Sequence, residues 1–197
     1  MSSREDMLAA IRRHRPAPSS LPKIPSFDRP KDDLIVHFSQ AVEKVGGKVL
    51  SNLTSSDLAD RISQQFSDAQ QVWSARSDLL ATNVAIDQDT APASLAGLDV
   101  ALVQGTLGVA ENGAIWVPEE ALPQRVLAFI TQHLVIVLDE QQIVWNMHEA
   151  YQALGTDLAA FGLFISGPSK TADIEQSLVV GAHGPRSLTV CLVRTNP

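Results

Sequence analysis

Two hydrophobic patterns alternate along the chain, one at helical spacing and one in short continuous runs, and their order predicts the fold. Met7, Leu8 and Ile11 fall on one side of a short basic helix, which stops at "RPAPSSLPKIPSFDRP", where five prolines prevent regular structure. A second helix is predicted from near Lys31, its stripe of Leu34, Ile35, Phe38, Val42 and Val45 ending at Gly46-Gly47. "KVL" follows as a strand. "TSSD" at 54 to 57 carries a capping pattern for a helix whose apolar positions Leu58, Ile62 and Phe66 keep four-residue spacing, and "QQVWSA" is the next strand.

After the turn-rich "DQDTAPASLAGLD", "VALVQ" has the composition of a buried strand, and "GTLGVAENGAIWV" gives two short strands around a type I′ turn at Asn112-Gly113. Pro123 suits the first turn of a helix carrying Val126, Phe129 and Ile130, which leads into the strand "HLVIVLD". A helix from about Asn146, with Met147, Ala150, Tyr151 and Leu154 inward, precedes the strand "FGLFIS". A Gly-Pro turn, a short helix holding Ile174 and Leu178 on one face, and the strand "SLTVCLV" close the chain.

Helices alternating with strands rich in Val, Leu and Ile predict an α/β domain. Its sheet is mainly parallel, with helices on both faces, and the hairpin at 108 to 117 is its antiparallel exception. Residues 1–30 form a helical arm and Pro-rich linker, and residues 31–197 the domain. A chain of 197 residues with 45% hydrophobic content is long enough for one sizeable core. The basic helix reads either as a solvated arm or as a docking element for a partner protein. A formal charge of −7 argues against nucleic acid or an anionic membrane surface as partner, since both recruit clustered Lys and Arg. The N-terminus lacks the apolar core of a signal peptide, and no stretch reaches the roughly 18 apolar residues of a membrane span, so the expected compartment is the cytoplasm. The lone Cys191 has no intramolecular disulfide partner and cannot hold an iron–sulfur cluster by itself.

The densest candidate chemistry is "ISGPSKTADIEQSLVVGAHGPRSL", 165 to 188. A buried strand runs through Ser166 into Gly167-Pro168, and Ser169, Lys170 and Thr171 precede the short helix. Free N–H groups at a helix start, beside two hydroxyls and an ammonium, can hold a phosphate or carboxylate, and the turn is expected beyond the carboxyl ends of the strands. Equally, Ser169 or Thr171 caps the helix, and Asp173 and Glu175 complement its dipole. The spaced glycines of a Walker A loop are missing. In "GAHGP", His183 stands between Gly181 and Gly184 on a tight turn, where its imidazole can donate a proton, orient an anion, or simply bond a nearby carbonyl. His14, His37, His133, His148 and His183 show no metal-ligand spacing, so no metal is expected, and no G-x-S-x-G elbow is present.

"SSREDMLAAIRRHRP", "VAENGAIWV" and above all "FISGPSKTADIEQSLVVGAHGPRSLTVCLV" resemble the LUD-domain proteins, of the short LutC or YkgG type of lactate utilization protein. The resemblance spans both ends and the centre, and its specific part is "SGPSKTADIE" with "G-x-HGP". It implies a fold similar to the NagB, ribose-phosphate isomerase and CoA-transferase group. It also implies a part in oxidising L-lactate to pyruvate with two separate partner proteins that carry iron–sulfur clusters, this chain being the component without a cofactor. The positions it marks are Glu111 and Gly113, then Ser166, Gly167, Pro168, Ser169, Lys170, Thr171, Asp173, Glu175, Gly181, His183, Gly184 and Pro185, with Gly105 and Thr106 added at the approach to the hairpin. "ENG" is also similar to the glutamate motif of one class of CoA-transferases, in which the carboxylate attacks an acyl thioester. Glu111 is accordingly read either as a reacting carboxylate or as the residue before a tight turn. The resulting expectation is a small anionic ligand near Gly167 to Thr171, with His183 and Glu111 lining the same cleft.

Overall fold

The computed structural model describes residues 3–17, 19–20, 22–25, 27–29, 33–156, 160–171 and 179–194. In chain order its elements begin with α1 (Ser3–Arg13), α2 (Leu34–Lys44), β1 (Lys48–Leu50), α3 (Ser55–Gln65), β2 (Val72–Ser74) and β3 (Val100–Gln104). They continue with β4 (Leu107–Val109), β5 (Ala114–Pro118), α4 (Leu127–Ile130), β6 (His133–Asp139), β7 (Ile143–Val144), α5 (Met147–Leu154), β8 (Gly162–Ile165) and β9 (Ser187–Val193). Local chemistry sets the helix starts. Asp33 accepts from the Ile35 amide at 2.9 Å to open α2, and Thr54 accepts from the Asp57 amide at 3.2 Å while its hydroxyl donates to the Asp57 carboxylate at 2.7 Å to open α3. No helix among the described residues is long and apolar enough to cross a membrane.

The first sheet has five strands in the order β1-β9-β6-β3-β2, all parallel. Its centre is the pairing of β6 with β9, in register from His133 opposite Ser187 to Asp139 opposite Val193. Successive side chains point to opposite faces, and both faces are covered. On one, Val135, Val137 and Cys191 pack with Leu58 and Ile62 of α3. Burial pushes the Cys191 thiol up to about 12, which leaves it protonated and unreactive. On the other face, Leu134, Ile136, Leu188 and Val190 meet Phe38 and Val42 of α2 together with Ile115 and Val117.

Those last two residues belong to a second sheet, and here the structure departs from the prediction. The hairpin is not an antiparallel exception within the parallel sheet. It forms a separate four-stranded sheet, β7-β4-β5-β8, that also takes in the strand "FGLFIS" as β8. One face of this sheet lies on the first; the other, with Leu107, Ala114, Trp116 and Phe164, is covered by Ala150 and Leu154 of α5. Gly105 makes the crossing between sheets, its amide bonded to Val137 O at 2.9 Å and the next amide, Thr106, to Trp116 O at 3.0 Å. A Cβ at Gly105 would stand 2.5 Å from Ile115 Cγ2 and 3.0 Å from Ile136 Cγ2, so the two sheets could not close.

Three local expectations also change. The hairpin turn is not type I′, because Gly113 (φ +66) is left-handed but Asn112 is not; the Asn112 side chain instead accepts from the Ala114 amide at 3.0 Å. Pro123 does not open a helix, and α4 is a single turn whose Leu127 and Ala128 are buried while Phe129 is 47% exposed. Tyr151 is not inward: it is 55% exposed, its ring edge against Phe164 at 5.7 Å.

At the amino end of β6, His133 shares a 2.8 Å hydrogen bond with Ser187 Oγ and faces the Phe66 ring at 5.4 Å. Burial first, and then the Arg186 charge, lower its pKa below the ordinary 6.5, with Asp99 opposing. The folded state then binds this proton less tightly than the unfolded chain, so protonation favours unfolding. Stability is complete above pH 6.5 and declines as pH falls from there through the lower folded value. Denaturant titrations of wild type and His133→Gln between pH 7.5 and 5 (roughly, spanning the reference range) check this: the variant should lose less stability over that interval, and parallel profiles would refute it.

Candidate functional site

The bend after β8 is built by close backbone packing. Gly167 (φ +78) passes so near the end of α2 that a Cβ would lie 2.6 Å from Val45 O, and buried Pro168 packs beside Gly46. Beyond it the chain pairs with the segment leading into β9: the Ser169 amide donates to Pro185 O at 2.9 Å, the Gly181 amide to Ser169 O at 3.0 Å, and the Thr171 amide to Val179 O at 3.1 Å. Lys170 and Val180 form an antiparallel bridge between them. Gly184 is required for this approach, since a Cβ there would fall 2.9 Å from Ser169 Cβ. The two signature segments, "SGPSKT" and "GAHGP", are therefore one structural unit.

That pairing corrects the expected anion site. The Ser169 and Thr171 amides are occupied by main-chain carbonyls rather than left free at a helix start, and the Thr171 hydroxyl is tied to Val179 O at 3.1 Å. The predicted helix with Ile174 and Leu178, and with it Asp173 and Glu175, lies outside the described residues.

The location changes too. A cavity of about 270 Å³ opens against the bend, floored by Ala128, Leu134, Leu163, Ile165 and Leu188 and edged by Phe129, Ser169, Lys170 and His183. Leu134 and Leu188 stand near the amino ends of β6 and β9, so the site is not beyond the carboxyl ends of the parallel strands. The reason is that β8 belongs to the second sheet: the bend leaves its carboxyl end and returns the chain to the start of β9. The Lys170 and His183 side chains are exposed, and among the described residues no carboxylate pairs with either. Sequence reasoning missed the apolar floor. Its signal was the alternation of Leu163 and Ile165 about Phe164 in "GLFI".

Glu111 does not line this cavity. Its carboxylate accepts from the Met147 amide at 3.1 Å, beside the cap in which Asn146 accepts from the Glu149 amide and Glu149 from the Trp145 amide, each at 2.9 Å. It faces a separate hollow with Phe27, Asp28, Trp145 and His148, where the linker's Phe27 ring lies 4.8 Å from His148. The expected shared cleft of Glu111 and His183 is absent because the hairpin turns this carboxylate toward the positive end of α5. The hairpin and the bend do touch, since Ser166 Oγ donates to Asn112 O at 2.8 Å, and Gly113 packs on α2 beside them. Gly105 and exposed Thr106 sit at the sheet crossing, also outside the cavity. Among the described residues no group of His, Cys, Asp and Glu side chains is arranged to hold a metal ion.

Residues 47–193, which contain both sheets and the whole cavity, match the LUD domain family. Lactate utilization protein C of Deinococcus radiodurans is 28% identical over 156 residues, covering 75% of this chain and 74% of that protein. Lactate utilization protein C 1 of Bacillus mycoides is 31% identical over 93 residues, 44% of this chain and 40% of that protein, and the Bacillus pumilus protein is 35% identical over 83 residues, 39% and 35%. The chain thus spans less than half the length of the two Bacillus relatives. A DUF162 family protein from Deinococcus radiodurans, solved at 1.70 Å, superposes with a TM-score of 0.59 at 20% identity over 81% of this chain and 95% of its own, and so has the same fold. Taken with the unbroken match from β1 to the end of β9, this makes the chain a member of the LUD domain family.

Proposed function

We propose that this protein takes part in the oxidation of L-lactate to pyruvate in the cytoplasm, with iron–sulfur partner proteins, and binds a small carboxylate at the mouth of the cavity. The observation that carries the site is the convergence of Lys170, His183 and the Ser169 hydroxyl on one opening whose described lining contains no acidic side chain. Lys170 supplies a point charge for the carboxylate and Ser169 a hydrogen bond, while His183 takes the proton of the substrate hydroxyl. Gly167, Pro168, Thr171, Gly181 and Gly184 hold these groups in place. Loss of two electrons and two protons converts lactate to pyruvate; the protons pass to solvent and the electrons to clusters on the partners. Cys191, sealed within β9, supplies no ligand to such a cluster. Glu111 acts as a helix cap in this reading, which leaves acyl transfer through it without support from the geometry.

An assembly role is the second reading. Met7 and Ile11 of α1 are 61% and 60% exposed beside Arg12 and Arg13, a surface suited to docking on a partner. One experiment separates the two: a strain lacking the gene is complemented with wild type, with Lys170→Met/His183→Ala, or with a chain lacking residues 1–15, and L-lactate consumption is measured. The expected outcome is rescue by wild type and by the truncated chain, with the double variant slower by roughly 100-fold. Rescue by the double variant but not by the truncated chain would favour assembly, and undiminished consumption without the gene would remove the lactate role altogether.

A further inference from the structure

The cavity is larger and more apolar than a three-carbon acid requires. Its 270 Å³ corresponds to about nine waters at roughly 30 Å³ each. With the carboxylate held at the mouth by Lys170, lactate would place only a carbinol carbon and a methyl group inside. The floor of Leu134, Leu163, Ile165 and Leu188 would then be left mostly to water that such walls do not retain. Phe129, 47% exposed at the rim, extends the apolar wall outward. Charge at the opening and hydrocarbon beneath define an amphiphilic ligand.

We infer that the site takes a monocarboxylate with a branched-alkyl or phenyl body, such as a 2-hydroxy or 2-oxo acid larger than lactate. This inference rests on the carboxylate reading of the same site and narrows it to a ligand class. The body fills the floor while the carboxylate stays with Lys170 and the 2-oxygen remains near Ser169 and His183.

Calorimetric titration of the full chain with L-lactate, 2-hydroxybutanoate, 2-hydroxy-4-methylpentanoate, phenyllactate and the neutral amide of the last two tests it. Affinity is expected to rise roughly fourfold per added methylene, the gain for burying a CH₂ group, with the amides much weaker than the acids. Lys170→Met should weaken every acid by a similar factor and keep the slope, whereas Leu163→Phe, which fills part of the floor, should erase the gain of the larger acids and spare lactate. Should Leu163→Phe fail to fold, the slope on wild type and Lys170→Met decides. A flat series in which lactate binds as well as phenyllactate overturns the apolar-body inference and leaves the carboxylate reading standing. Absence of binding by every acid, or amides binding as well as acids, overturns both.

Discussion

Gly113→Ala is expected to destabilise the protein by about 2–5 kcal/mol, combining the left-handed backbone cost of an L-residue with overpacking. For a domain of this size that lowers the thermal midpoint by roughly 5–15 °C. The glycine sits at φ +66, and a Cβ there would stand 2.7 Å from the Val42 amide nitrogen and 3.0 Å from Ala41 C, both main-chain atoms of α2 that have no rotamer to escape into. Either α2 shifts or the hairpin lifts. Calorimetry of the variant beside Gly46→Ala, whose φ is also positive (+88) but whose Cβ would meet nothing closer than Pro168 side-chain carbons at 3.7 Å, separates the two costs. Equal losses in the two variants would mean that the α2 backbone is not the obstacle.

Phe38→Ala is expected to cost about 3–5 kcal/mol, the range for emptying a fully buried aromatic site. Phe38 is completely buried, and its ring lies where a Cβ on Gly108 would meet it at 3.2 Å, beside Leu138 of the first sheet and Ile143 of the second. One side chain from α2 thus plugs the seam between both sheets. Phe38→Leu, which keeps most of the volume, should recover more than half of that loss in the same urea titration; a loss under about 1 kcal/mol for the alanine variant would show that the seam closes without it.

The parallel sheet was legible because its strands announce themselves. "VALVQ", "HLVIVLD" and "SLTVCLV" are nearly continuous apolar runs, as burial on both faces demands, and the starts of α3 and α5 follow from Thr54 and Asn146 as capping residues. The second sheet was not legible in the same way. β8 alternates Leu163 and Ile165 against Phe164, a pattern equally valid in either sheet, and only its pairing with β5 decides the matter. Misplacing that one strand also misplaced the bend, which is why the site was expected at the wrong end of the parallel strands. The bend and the "GAHGP" loop were both singled out as candidates, and the structure puts them side by side. Glu111 failed as a cavity residue because proximity in a motif says nothing of side-chain direction: the turn that brings Asn112 to Ser166 sends the glutamate to α5.

Main-chain bonds from Ser169 to Pro185, Gly181 to Ser169 and Thr171 to Val179, joined by the Thr171 hydroxyl, knit the bend to its neighbouring loop. Among the described residues the Lys170 and His183 side chains make no bond in that knit. The groups displayed at the opening are therefore open to substitution without disturbing the scaffold beneath, so a change of recognition there need carry no change of frame.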